Sequence, residues 1–105
     1  MAKKKPNILL VMADQMAAPA LPIYGNHKVV APHLEKLANE SVVFENAYCN
    51  LPMCAPSRAS LHVGRLPFSF GMYDNASSFG ADVPTFAHYL RGLDYRVEMS
   101  GKMHF

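Results

Sequence analysis

Two kinds of hydrophobic pattern alternate along this chain. Residues 7–13, bounded by Pro6 and Asp14, form one short apolar stretch. A run of that length reads as a strand buried on both faces. Residues 16–30 lose any period and contain Pro19, Pro22 and Gly25, which predicts a loop. Pro32 then opens a helix in which Leu34, Leu37 and Ala38 share one face, with Glu35, Lys36 and Glu40 on the others. Residues 41–46, rich in Val and Phe, predict a short strand, and residues 47–56 a loop with Pro52 and Pro56. A second helix is expected from Pro56 to about Val63, stopped by Gly64. Residues 65–83 look irregular, with Pro67, Gly71, Gly80 and the Asp74-Asn75 pair. Pro84 opens a third helix with Phe86, Tyr89, Leu90 and Leu93 inward and Gly92 near its end, and residues 95–100 predict a last strand.

The order strand, helix, strand, helix, helix, strand predicts an α/β fold, a parallel sheet with helices on both faces. Three strands in 105 residues leave much of such a sheet uncovered. Residues 1–105 are therefore expected to be an incomplete domain, either a fragment of a larger enzyme or the product of a truncated reading frame.

Composition narrows the function classes. Half of the chain is apolar and 17% is charged, as in a folding globular sequence. The net charge of +2 rests on Lys3, Lys4 and Lys5, so no concentrated basic face points to nucleic acid. The run of purely apolar side chains after those lysines, Ile8 to Ala13, is six residues long and is interrupted by Asp14, shorter than the roughly 7–15 residues of a secretory core or the roughly 20 of a membrane span. A cytoplasmic protein with no membrane partner is expected. Cys49 and Cys54 are too few for a disulfide framework.

Three places carry candidate chemistry. Asp14, with the Gln15 amide beside it, ends the first predicted strand, where open α/β sheets collect ligands. Their oxygens suit a hard cation, although an Asp here can equally cap or turn the chain. Cys54 lies just ahead of a helix expected to begin at Pro56, with Arg58 in its first turn. Helix dipole and guanidinium together favour an anion and activate a nucleophile, whereas a cysteine without them reads as an inert thiol. Lys102 and His104 are two apart at the end of the last strand, so in extended chain they point to one side. They form either an anion-holding and proton-donating pair or a solvated strand end.

These residues fall into motifs. Pro6 to Gln15 resembles the opening strand and metal-binding end of sulfatases, Cys54-Ala55-Pro56-Ser57-Arg58 resembles their Cys-x-Pro-Ser-Arg signature, and Gly101-Lys102-Met103-His104 their Gly-Lys-x-His motif, in that order. The stretch Tyr73-Asp74-Asn75-Ala76, the Pro84-Thr85 helix start and the residues Gly101-Lys102-Met103-His104-Phe105 are similar to the choline-sulfatase branch. The resemblance implies a partial alkaline-phosphatase-like fold, a mostly parallel sheet with flanking helices, of which residues 1–105 would be the N-terminal segment of the catalytic domain. It implies oxidation of Cys54 to formylglycine by a formylglycine-generating enzyme, and an aldehyde hydrate that attacks the sulfur of a small sulfate ester such as choline sulfate. It further implies a divalent cation, calcium or else magnesium, on Asp14, Gln15 and the modified Cys54. Arg58 would steady the alkoxide, Lys102 hold a sulfate oxygen, His104 stand by the ester oxygen and Asn75 touch the substrate. The full-length protein would be a homo-oligomer. Two departures stand out: Gln15 where many relatives carry Asp, and His62 where the extended signature prefers an apolar residue. The alternatives are a phosphonate or phosphate monoester hydrolase of the same superfamily, and a fragment without activity because it lacks the remaining metal ligands.

Overall fold

Proline sets much of the local structure. Pro fixes its own φ near the helical value and needs no N–H partner, so it opens short helices readily. In the computed structural model, which describes residues 5–104, it opens 3₁₀ turns at Ala18–Ala20, Pro22–Tyr24 and Pro67–Phe70 inside segments the pattern marks only as loop. It also opens helix α1, Pro32–Asn39, where predicted. Lys3, Lys4 and Phe105 lie outside the described residues.

The chain divides into two units, the first ending at Asn46 and the second beginning at Ala47. The first unit contains the first two 3₁₀ turns and α1. Its loop is tied by side-chain bonds: the Asn26 Nδ2 donates to the Pro19 carbonyl at 3.0 Å, and the Tyr24 hydroxyl to the Phe44 carbonyl at 2.9 Å. None of its described residues is fully buried, and Leu34 and Leu37, the predicted inner face of α1, are exposed.

The second unit contains α2, Cys54–Val63, and α3, Phe86–Gly92. Gly64 ends α2 in the left-handed conformation at φ +72°, its N–H bonded to the Ser60 carbonyl, a role glycine fills without steric cost. Thr85 starts α3, and the Thr85 N–H donates to Nδ1 of His88 at 3.0 Å, closing the helix end from within. The core is small: Ala55, Ala59 and Met72 are buried, with Phe70 and Phe79 packed against them edge to face at 5.7 Å. Ala55 and Ala59 are one turn apart, so α2 presents a seam of small side chains to Met72. On α3, Ala87 is buried and Phe86 and Leu90 are half-buried, whereas Tyr89 and Leu93, also expected inward, are exposed.

The three expected strands are not formed. Among the described residues no β-ladder appears over 7–13, 41–46 or 95–100. Leu9 is 87% and Val11 81% exposed, the reverse of a strand covered on both faces. The cause is cooperative: a strand exists only when a neighbour takes its N–H and C=O groups, and an apolar run cannot supply that neighbour itself. Residues 95–100 keep a trace of extended character, because Arg96 and Glu98, two apart, pair on one side at 2.5 Å. The helices of the expected α/β fold are therefore present, and its parallel sheet is not displayed by these residues. Among them no helix is long and apolar enough to cross a membrane.

Candidate functional site around Cys54

Helix α2 begins at Cys54 itself, two residues before the start expected from Pro56. The first N–H groups of a helix have no intrahelical acceptor, so a proline at the third position removes nothing the helix uses. The first bond of the ladder runs from the Ser57 N–H to the Met53 carbonyl at 3.0 Å. Cys54 is thus the first residue of the helix rather than a neighbour ahead of it. It is half-buried and unpaired with Cys49, which is exposed.

Met53 sits at the N-cap and has no side chain that can accept a hydrogen bond from the first turn. The acceptor comes from twenty residues downstream, where Asn75 Oδ1 takes the Ala55 N–H at 3.0 Å. Asn75 rides on a self-tied turn. One Asp74 carboxylate oxygen accepts from the Ala76 N–H at 2.9 Å, and from the Ser77 N–H and hydroxyl at 2.8 Å each. The Ser77 hydroxyl oxygen in turn takes the N–H groups of Tyr73 and Asp74 at 3.2 Å. The Ser77 hydroxyl, then the Ala76 and Ser77 amides, hold the Asp74 carboxyl below the usual carboxylate range.

One turn after Cys54, Arg58 reaches the Gly101-Lys102 segment and donates from Nη1 to the Lys102 carbonyl at 2.8 Å. The Lys102 side chain returns to the helix start, with Nζ 4.0 Å from Cys54 Sγ. The Lys102 side chain and the positive end of a ten-residue helix therefore meet at position 54, with Arg58 holding the Lys102 backbone from one turn further along. Such an arrangement favours a negatively charged group there.

His104 does not share this cluster. Gly101 at φ +95° and His104 at φ +55° are left-handed, so the segment is not the regular extended chain that would place Lys102 and His104 on one side. His104 is exposed, and among the described residues no hydrogen bond or ion pair joins it to Cys54, Arg58 or Lys102. Asp14 and Gln15 belong to the first unit, where they form a turn with Gln15 left-handed at φ +56°. Among the described residues no three His, Cys, Asp or Glu side chains gather as a cation site. The carboxylate of Asp14 and the amide oxygen of Gln15 have the donor chemistry a hard cation takes, but two side chains are far short of the roughly six to eight oxygens around calcium. A hollow of about 410 Å³ in the first unit, lined by Ile23, Tyr24, Val43 and Glu45, contains none of the predicted site residues.

Two supports of α2 have no signal in the motif. The buried Ser60 hydroxyl accepts from Asn50 Nδ2 at 2.9 Å and donates to the Arg65 carbonyl at 2.7 Å, tying the chain on both sides of the helix to its middle. His62 stacks on Phe86 at 4.8 Å with the rings 12° from parallel, joining α2 to α3. Burial, and then the charge of Arg58 one turn away, lower its pKa from 6.5. The neutral ring thus does the work of the apolar residue the extended signature prefers at this position.

No solved structure matches the chain. The chain is 44% identical over its whole length to a choline-sulfatase of Rhizobium meliloti, of which it covers 20%. It is 36% identical to an N-acetylglucosamine-6-O-sulfatase of Bacteroides thetaiotaomicron, over 96% of this chain and 18% of the relative. It is 37% identical to a mouse steryl-sulfatase, over 98% of this chain and 18% of the relative. The chain spans about a fifth of the length of these curated relatives. The sulfatase family model matches residues 6–105, which include every residue of the cluster around Cys54, and the chain belongs to the sulfatase family.

Proposed function

We propose that residues 1–105 are the N-terminal segment of the catalytic domain of an enzyme that hydrolyses a small sulfate ester, with choline sulfate the leading substrate. The observation that carries this reading is the approach of Lys102, held through its carbonyl by Arg58, to the first residue of α2, at the cysteine of the Cys-x-Pro-Ser-Arg signature. The similarity to a choline-sulfatase over the whole chain supports the choice of alcohol.

In this reading Cys54 is the precursor of formylglycine, made by a formylglycine-generating enzyme, and the hydrated aldehyde supplies a hydroxyl nucleophile for sulfur while a divalent cation, calcium or magnesium, supplies Lewis acidity. The chain's own residues do the rest. The Lys102 ammonium holds an oxygen of the anionic sulfate, adding a mobile charge to the fixed charge of the helix end. Arg58 holds the Lys102 backbone in reach and offsets negative charge growing at position 54. His104 donates a proton to the departing alkoxide oxygen, a role that requires its segment to leave the left-handed conformation described above. Asp14 and Gln15 contribute oxygens to the cation. A cytoplasmic setting and a homo-oligomeric full-length protein belong to the same proposal.

The test uses the complete protein with paired sulfate and phosphonate esters in competition. A higher kcat/KM for the sulfate ester, choline sulfate above other alcohols, is expected. Preference for the phosphonate would replace the reading with that of a phosphonate monoester hydrolase. In the same preparation the peptide containing residue 54 should weigh about 18 Da less than its unmodified form, the difference between thiol and aldehyde. Cys54→Ala should abolish turnover. An active enzyme with an unmodified thiol would remove the formylglycine step.

A further inference from the structure

We propose that Asn75 is a positioning residue for position 54: the Asp74–Ser77 turn holds its carboxamide oxygen on the Ala55 N–H, and this bond fixes the first turn of α2 and the direction in which the side chain of residue 54 leaves the helix. The proposal rests on the sulfatase reading of Cys54 and goes beyond a substrate contact for Asn75.

Three observations carry it. Ala55 is 1% exposed, so its N–H has little access to water, and a buried donor without an acceptor is costly. The N-cap residue, Met53, cannot accept that bond, so the helix start depends on a side chain from elsewhere. The turn that delivers Asn75 is itself over-determined. Met72, fully buried against Ala55 and Ala59, anchors its entry, and five hydrogen bonds among Tyr73, Asp74, Ala76 and Ser77 fix its shape. A helix frays from its ends, and Cys54 is the end residue. Loss of the cap therefore acts first on the residue that bears the chemistry. With one lone pair of Oδ1 engaged by the Ala55 N–H, the Nδ2 donors and the second lone pair of Asn75 are left for any other partner.

The proposal separates two roles by acceptor and donor. In the complete protein, Asn75→Ala removes both, whereas Asn75→Asp keeps an oxygen for the Ala55 N–H and loses the donors. Amide hydrogen exchange at residue 55 should quicken roughly 2- to 30-fold in Asn75→Ala, the equivalent of losing a side-chain cap, and return toward the parent value in Asn75→Asp. With a sulfate ester, kcat should fall in Asn75→Ala while KM changes little, and Asn75→Asp should recover part of the lost kcat. Unchanged exchange in Asn75→Ala would overturn the proposal. So would a raised KM with kcat intact, or an Asn75→Asp protein as impaired as Asn75→Ala in both exchange and kcat. The exchange arm needs no substrate. A parent protein that hydrolyses no sulfate ester would refute the assigned function, while exchange would still decide whether Asn75 caps α2.

Discussion

Met72→Ala tests whether the small core seats the helix that begins at Cys54. Met72 is the largest side chain that the described residues bury completely, and it lies against Ala55 and Ala59. Truncating a buried Met to Ala costs about 2–5 kcal/mol, the value depending on how far the surroundings collapse into the space. Ala55 and Ala59 have nothing beyond Cβ to move into it. Phe70 and Phe79 are only partly buried and can swing inward, which places the cost in the lower half of that range, about 2–3 kcal/mol. Met72→Leu keeps most of the volume and should cost less than about 1.5 kcal/mol. The assay is guanidinium unfolding of the complete protein and both variants, followed by far-ultraviolet circular dichroism, with midpoints compared at a common slope. A loss below about 1 kcal/mol in Met72→Ala at unchanged slope would show that this cluster does not seat α2, because the transfer free energy of the lost groups alone exceeds that figure.

Two further substitutions probe the supports of the same helix. Ser60→Ala leaves the Asn50 amide and the Arg65 carbonyl without their shared partner, and should lower stability by about 1–3 kcal/mol in the same unfolding assay; an unshifted midpoint would show that water replaces the hydroxyl freely. His62 should make stability fall in acid. Its folded pKa is lowered, first by burial and then by Arg58, so the unfolded chain takes up the proton first as pH drops. Its contribution is complete above 6.5, the unfolded value, and is lost as pH falls from there through the lower folded value. His62→Phe keeps a ring on Phe86 without the titration, and its midpoint against pH should lack that fall; parallel curves for the two proteins would refute the assignment.

The parts of the fold legible in the sequence are those set within a few residues. Pro32 opens α1, and Gly64 closes α2, as the pattern predicts, because each acts through its own φ. The rule that proline opens helices hides the start of α2, because proline is equally at home two residues further in. The apolar runs at 7–13 and 41–46 show what those residues need, a covering neighbour, but not whether a neighbour is present. Of the candidate site, Cys54, Arg58 and Lys102 come together, a grouping the motifs anticipate. The pairing of Lys102 with His104 assumed extended backbone, and the left-handed Gly101 and His104 break that assumption. The capping role of Asn75 spans twenty residues and has no local pattern, yet one clue was present: a helix start at Met53-Cys54 without Ser, Thr, Asp or Asn at its cap needs an acceptor from a distant segment.

The buried stripe of α2, Ala55 and Ala59, and the stripe of Cys54 and Arg58 beside it have the same one-turn spacing, displaced by one residue. One step along an α-helix is a rotation of about 100°. A single residue inserted between Arg58 and Ala59 would therefore turn Ala59 about 100° away from Ala55, so that the methyl seam could no longer face Met72 while Arg58 kept its bond to Lys102. This stretch can absorb many exchanges of side chain, but its length is constrained to the residue.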